Sequence, residues 1–257
     1  MNDAALDAAK RLAAAGIDSA RLDARLLWDF SGGDAVAFDA AIARRLRHEP
    51  VAYILGHKEF WSLDLEVGDG VLVPRPDTET LIEEAIRMVP DRSAPLAIAD
   101  LGTGTGAILL AALAEFPNAQ GIGFESSPAA FGYAARNAAR LAPGRADIRM
   151  ADWSAAFGPF DLVFSNPPYI PSAEIESLAP DVRDHEPRAA LDGGLDGLDA
   201  YRALGRLLPG LLRPGGHALL EIGMGQAAAM EPLFPGLELM RIVPDLSGIP
   251  RCVVLKA

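Results

Sequence analysis

The stretch LAIADLGTGTG (96–106) constrains this chain more than any other part of it. Its apolar first half, 96–101, has the length of a buried strand, and the period then shifts to a helical run over 107–116. Between the two, Gly102, Gly104 and Gly106 stand at alternate positions. Glycines there let the backbone turn sharply and let a ligand lie against it without meeting Cβ atoms. Strand, glycine turn and helix make the first half of a βαβ unit, which needs a parallel sheet with helices on its faces. The downstream rhythm agrees. Strands are expected near 120–124, 147–150, 160–165, 217–222, 237–243 and 251–256, with helices over 128–141, 198–212 and 226–234. The expectation is an α/β fold with a mainly parallel sheet. A long segment punctuated by Pro and Gly, 167–197, interrupts the alternation.

The region before the sheet is organised differently. Leu6, Ala9, Leu12 and Ala13 recur at helical spacing up to Gly16; Ser19 is a candidate N-cap for a second helix ending at Gly32-Gly33; Phe38, Ile42 and Leu46 mark a third after Asp34. Pro50 closes this helical module. Over 59–73, Phe60, Leu63, Leu65, Val67 and Val71 alternate by about two around Gly68-Asp69-Gly70, the pattern of a β-hairpin connector. Pro74-Arg75-Pro76 is stiff, and Asp77 is placed to cap a helix over 78–88. The expected division is a helical domain at 1–50, a hairpin connector at 51–76 and an α/β domain at 77–257.

At 257 residues the chain is one large or two unequal domains, and 50% hydrophobic with 23% charged residues is a composition that buries a core. Asp plus Glu outnumber Lys plus Arg 35 to 23, and a net charge of −12 repels phosphate backbones, which argues against a general duplex-binding protein. No run approaches the ~18 apolar residues of a membrane span. The start, MNDAALDAAKRL, has no apolar signal-peptide core, and Cys252 is the single cysteine. A cytoplasmic protein is expected. His48, His57, His185 and His217 are scattered without metal-ligand spacing, and no G-x-S-x-G nucleophile elbow is present. No metal is indicated.

Three further signals fall at strand ends, where open α/β sheets bind ligands. Glu125 closes the strand after the glycine loop, where a carboxylate accepts hydrogen bonds from a ribose diol; otherwise it is a solvated strand end. Asp152-Trp153 could bracket an adenine, the acid taking the exocyclic amine and the indole covering a face, or it is a helix cap beside a core Trp. Asn166-Pro167-Pro168-Tyr169 follows the strand 160–165. Its prolines remove two backbone donors and fix φ, which holds the Asn side chain and nearby carbonyls outward as acceptors. Asn-Pro is also a common turn pair.

Taken in order, Gly102-Thr103-Gly104-Thr105-Gly106 with Glu125, Asp152-Trp153 and Asn166-Pro167-Pro168-Tyr169 resemble class I S-adenosyl-L-methionine-dependent methyltransferases that act on a planar nitrogen. Tyr53–Gly56 with Phe60-Trp61, Arg75-Pro76-Asp77-Thr78-Glu79, Glu186-Pro187-Arg188-Ala189-Ala190-Leu191, and Glu221-Ile222-Gly223 with Gln226 narrow the likeness to the HemK/PrmC family. The resemblance covers almost the whole chain. It implies a Rossmann-like sheet of seven mostly parallel strands, S-adenosyl-L-methionine as cofactor, and methylation of the glutamine N5 in the Gly-Gly-Gln motif of peptide chain release factors. It also implies roles for particular residues: 102–106, Glu125, Asp152, Trp153 and Asn166 at the cofactor, and Asn166, Pro167, Pro168 and Tyr169 at the substrate amide. Here Asn166 and the Pro167 carbonyl would hold the amide NH2, and Tyr169 would pack over it. The chain departs from the family where Glu125 replaces a frequent Asp, and where His185 stands for a frequent aromatic before Glu186.

Other readings remain open on the sequence. They are a glutamine methyltransferase of a ribosomal protein, a nucleic-acid amino (adenine-N6) methyltransferase, a nicotinamide dehydrogenase built on the glycine loop, and a binding scaffold without chemistry. Arg75 and Glu221 are either groups supporting the site or, respectively, a structural ion-pair residue and a strand-end carboxylate. The partner expected is a release factor, with no direct nucleic acid and no membrane, and the chain is expected to act as a monomer.

Overall fold

Three amphipathic helices open the chain in a computed structural model that describes residues 3–257; the first two residues of the 1–50 module lie outside the described residues. These helices, α1 (Asp3–Ala14), α2 (Ala20–Phe30) and α3 (Ala35–Arg45), converge on Leu12, Leu27, Phe38 and Ile42, all buried. Burial of each such side chain stabilises by about 1.5–3 kcal/mol. The third helix starts after Asp34 as expected, and Asp34 caps it, accepting from the Ala37 N–H at 2.7 Å. Ser19 does not cap α2. Its backbone, at φ −82° and ψ 14°, is already near helical, so the hydroxyl cannot fold back onto the first turn as an extended N-cap does. A fourth helix, α4 (Val51–Leu55), follows Pro50 and is too short to show a period. Its Ile54 joins the helical core and its Tyr53 joins the next cluster, so α4 links module to connector.

The connector is a hairpin, but with another turn than expected. Strands β1 (His57–Phe60) and β2 (Leu63–Glu66) are joined through Trp61 and Ser62, at φ 51° and 60°. Gly68 and Gly70 lie after β2 instead. Gly70 turns the chain there at φ 84°, and close approach adds to this, since a Cβ on Gly68 would collide with the Tyr133 hydroxyl and one on Gly70 would lie 2.8 Å from the Ala129 Cβ. Val67, Val71 and Val73 bury against Tyr53 and Ala130. Asp77 does not cap either. Residues Pro76–Thr78 form a 3-10 turn that runs straight into α5 (Glu79–Met88), with Thr78 in helical conformation. That leaves the Thr78 side chain free to face the sheet.

The remaining strands are β3 (Ala97–Leu101), β4 (Gln120–Glu125), β5 (Ala146–Met150), β6 (Phe160–Ser165), β7 (Leu212–Glu221), β8 (Glu238–Pro244) and β9 (Pro250–Lys256). They form one seven-stranded sheet in the order β5-β4-β3-β6-β7-β9-β8. Only β9 runs antiparallel to its neighbours. Helices α6 (Ala107–Glu115) and α7 (Pro128–Leu141) follow β3 and β4, α8 (Pro180–Arg183) lies in the Pro/Gly-punctuated segment, and α9 (Asp199–Leu211) and α10 (Ala227–Met230) flank β7. The expected helix over 226–234 is thus only its first half; Pro232 lies in a 3-10 turn. Strand β7 starts earlier than expected, because Leu212 pairs with Phe160 ahead of an irregularity. The seven-stranded α/β expectation is borne out. The order turns back on itself at β3, which runs on to β4 on one side and pairs with β6 on the other. Such a switch point opens a crevice at the carboxyl ends of the two strands.

Candidate active site

At that crevice the glycine loop takes the shape its composition suggests. Gly102, Gly104 and Gly106 have φ of 76°, 59° and 86°, a region that disfavours side chains with a Cβ. The N–H groups of Gly102 and Thr103 both donate to the Phe124 carbonyl, at 2.9 and 3.0 Å, stitching the loop to β4. Glu125 is buried at the end of β4 and accepts from the Gly104 N–H at 2.9 Å and the Ser127 N–H at 2.8 Å. It therefore faces the loop and is not a solvated strand end.

Asp100, at the start of the turn, is fully buried. Its Oδ2 accepts from the Thr103 hydroxyl at 2.5 Å, and its Oδ1 has no partner. Burial pushes this carboxyl up to about 7, whereas an unfolded Asp titrates near ~4. The folded chain thus keeps the proton where the unfolded chain has lost it. Stability from this group is complete below about pH 4 and is lost as pH rises through about 7. Urea unfolding across that range should show the parent losing ground to Asp100→Asn as pH rises. A gap that does not change with pH would show that Asp100 has no such linkage.

Opposite the loop, Asp152 and Trp153 stand after β5. Asp152 accepts from the Ser154 N–H at 2.8 Å, so the capping role is real, yet the same residue lines the cleft. Trp153 packs beside Gly102, within 3.7 Å of the place a Cβ would occupy. Gly102, Thr103, Gly104, Thr105, Phe124, Glu125, Ala130, Asp152, Trp153 and Asn166 surround one cleft, whereas Gly106 lies behind it against Leu110 and Ala134.

The fourth wall comes from β6. Ser165 donates to the Leu101 carbonyl at 2.7 Å, locking the two switch-point strands together just before Asn166. Asn166 donates through Nδ2 to Thr78 Oγ1 at 3.3 Å, and Thr78 donates in turn to Glu221 Oε2 at 2.5 Å. The Tyr169 hydroxyl donates to Glu221 Oε1 at 3.1 Å. Pro168 lines the cleft, Pro167 is buried, and Tyr169 sits behind the lining with its ring in the core on one face of the sheet. Gln226 braces the motif from below: its Nε2 donates to the Tyr169 carbonyl at 2.9 Å and its Oε1 accepts from the Gly223 N–H at 2.9 Å. Sequence reasoning assigned no role to Thr78. Its approach to Asn166 spans 88 positions and depends on strand order.

Arg75 is at the mouth of the cleft, 2.5 Å from Glu186 Oε1. The Glu186 carboxyl is pushed up to about 7 by burial, with Arg75 opposing the shift, and its Oε2 has no partner. The loop carrying Glu186 is tied to the helical module. Arg45 reaches Asp181 at 3.6 Å, and His185 Nε2 meets the Arg47 carbonyl at 3.0 Å. His185 therefore turns toward the helices.

Known proteins fall in line with this geometry. The methyltransferase domain family matches residues 98–185, and the PrmC N-terminal domain family matches 28–56, running past residue 50 to take in α4. A release factor glutamine methyltransferase of Rhodospirillum rubrum is 45% identical, covering 96% of this chain and 82% of the relative. The chain belongs to the release factor glutamine methyltransferase family. Another family member, from Cereibacter sphaeroides, is 46% identical over 98% of this chain and 91% of its own length. A solved methyltransferase from Pyrococcus furiosus, 19% identical, superposes with a TM-score of 0.55 over 88% of this chain and 98% of that one, a likeness of fold. The family expected from the motifs is thus borne out.

Proposed function

We propose that this chain methylates the side-chain N5 of the glutamine in the Gly-Gly-Gln motif of peptide chain release factors, using Asn166 and the Pro167 carbonyl to hold the amide. The observation that carries this is the Asn166 amide: its Nδ2 is committed to Thr78, which leaves Oδ1 as the free acceptor at the edge of the cleft.

The cleft suits S-adenosyl-L-methionine. Its floor is a loop without Cβ atoms at Gly102 and Gly104, its far end offers a buried carboxylate, and Phe124, Ile108 and Trp153 give it apolar walls. Gly102, Thr103, Gly104, Thr105 and Gly106 would carry the cofactor, with Glu125 at the ribose and Asp152 and Trp153 at the adenine. When bound, it supplies an electrophilic methyl group on a sulfonium. The rest of the chemistry is positioning. An amide nitrogen is a poor nucleophile, because its lone pair is shared with the carbonyl; the ~18–20 kcal/mol rotation barrier of the peptide amide measures that conjugation. Asn166 Oδ1 and the Pro167 carbonyl accept the two N–H hydrogens and stabilise the nitrogen as positive charge develops on it. Pro168, with Tyr169 behind it, forms the wall against which the flat amide rests, in line with the methyl.

Residues 1–50 bind the release factor, and the 51–76 connector aligns them with the cleft; the Arg45–Asp181 and His185–Arg47 contacts support this. Among the described residues no helix is long and apolar enough to cross a membrane. The chain acts as a monomer in the cytoplasm, where its substrate is. Incubation with labelled S-adenosyl-L-methionine and purified release factor, followed by mass spectrometry of the Gly-Gly-Gln peptide, should place one methyl group on the glutamine. A label found elsewhere, or none, would overturn the proposal.

Glu125→Ala should weaken cofactor binding by about 1.5–3 kcal/mol, the worth of a charge-assisted hydrogen bond. The loss has two sources, since the same carboxylate holds the Gly104 N–H in place. Calorimetry should show it, with release factor affinity nearly unaltered. Unchanged cofactor affinity would rule out the ribose role.

A further inference from the structure

We propose that Glu221 and Thr78 are positioning residues that fix which way round the Asn166 amide faces, an inference that rests on the function proposed above. Glu221 is 1% exposed and Thr78 4% exposed, so water cannot substitute for either partner. Both oxygens of Glu221 accept from hydroxyls, Thr78 at 2.5 Å and Tyr169 at 3.1 Å. Burial raises the Glu221 carboxyl, and the Thr78 and Tyr169 hydroxyls with the nearby Arg251 oppose that shift. In the charged form, to which both hydroxyls donate, it offers no donor. The single hydroxyl hydrogen of Thr78 is therefore spent on Glu221, and only its lone pairs remain for Asn166. Asn166 must then turn Nδ2 inward, at 3.3 Å, and Oδ1 is the atom left for the cleft.

That polarity matters because the two ends of an asparagine amide have nearly the same shape. A half-turn about its last torsion would present NH2 to the NH2 of a substrate glutamine, donor against donor. Nothing on the strand itself forbids the half-turn. The buried chain Glu221–Thr78–Asn166 does, because each hydrogen has one place to go. Tyr169 holds the other side of the carboxylate, and the Tyr201 hydroxyl donates to the Glu221 backbone carbonyl at 2.9 Å, fixing the end of β7. Glu221 is thus more than a strand-end carboxylate.

Thr78→Val keeps the shape and removes both the donor and the acceptor. Its Asn166 side-chain amide, identified in a 1H–15N spectrum by its loss in Asn166→Ala, should exchange its hydrogens faster than the parent's in the cofactor-free protein. Turnover should fall roughly tenfold, the effect of one hydrogen bond. Cofactor Kd and release factor KM should stay at parent values, while Tm falls modestly because Glu221 Oε2 loses its donor. Thr78→Ser, which restores the hydroxyl, should recover most of both losses; a residue needed only for packing would not show that split. Should Thr78→Val fail to fold, Glu221→Gln supplies the test. Its amide can offer Thr78 either end, so turnover should fall by a smaller factor with the cofactor still bound. A folded Thr78→Val, or in its place Glu221→Gln, with parental amide exchange and parental turnover would overturn the proposal. If instead the amide responds as expected but the parent places no methyl on the glutamine, the assigned activity fails while the orienting chain stands.

Discussion

Asn166→Ala should lower turnover roughly 10²–10³-fold, the loss seen when one preorganised hydrogen-bond partner of a transition state is removed. Asn166 leaves the end of β6 at the switch point, with the strand anchored beneath it by Ser165 on Leu101 and the chain beyond it fixed by two prolines and Gln226. An acceptor so fixed needs no reorganisation as charge builds on the substrate nitrogen. The glycine loop and Glu125 are separate from this anchor, so cofactor affinity should remain within a few-fold of the parent. Asn166→Asp is the informative companion. It keeps the shape and an acceptor, but a charge beside a sulfonium changes binding of the cofactor and carries a desolvation penalty on burial. It also loses the N–H that Thr78 accepts. Alanine should therefore give the cleaner separation, chemistry lost and cofactor bound, and aspartate a mixed one. Single-turnover rates together with calorimetry measure the two quantities. Methylation of the Gly-Gly-Gln glutamine by Asn166→Ala at the parent rate would leave the amide-holding mechanism without support.

What could be read from the chain in advance follows how local each cause is. The strand and turn at 96–106 were legible because adjacent residues dictate them: an apolar run must be covered on both sides, and alternate glycines mark where the backbone turns left-handed. The outward-facing Asn166 was legible for the same reason. The hairpin turn was misplaced because Gly68 and Gly70 look like turn residues. They lie past β2, where Gly70 does turn the chain, at φ 84°, and where Ala129 and Tyr133 of α7 crowd the place of a Cβ. Ser19 looked like a cap, yet its backbone enters α2 already near helical. Least legible was the polar scaffold under the site. Thr78, Asn166 and Glu221 meet only once the strands are ordered with β6 between β3 and β7, and no periodicity encodes that order. The residues that line the cleft were thus easier to find than those that hold them in place.

The same holds for the pair that secures the helical module, where the second large effect is expected. Arg45 donates through Nε to Asp23 Oδ2 at 2.7 Å, and the two side chains are 6% and 5% exposed. Arg45 also donates to the Glu49 carbonyl at 3.2 Å and approaches Asp181 at 3.6 Å. Arg45→Ala leaves the Asp23 carboxylate buried without its cation, which costs about 3–5 kcal/mol. Three short helices around one small core have little stability of their own to offset that. Opening should be local: hydrogen exchange should speed up across α1, α2 and α3, while β3 and β6 keep the protection of the sheet. Catalysis on whole release factor should suffer through KM. Replacing both partners, Asp23→Leu with Arg45→Met, separates the two roles of the arginine. An apolar pair of similar volume should restore most of the stability, since no charge is then left buried. It cannot restore the contact with Asp181 that ties the module to the loop bearing Glu186. If that tie aligns the bound release factor with the cleft, the double variant should be as stable as the parent and still show a raised KM. If KM returns to the parent value together with stability, Arg45 serves only to hold the helices together.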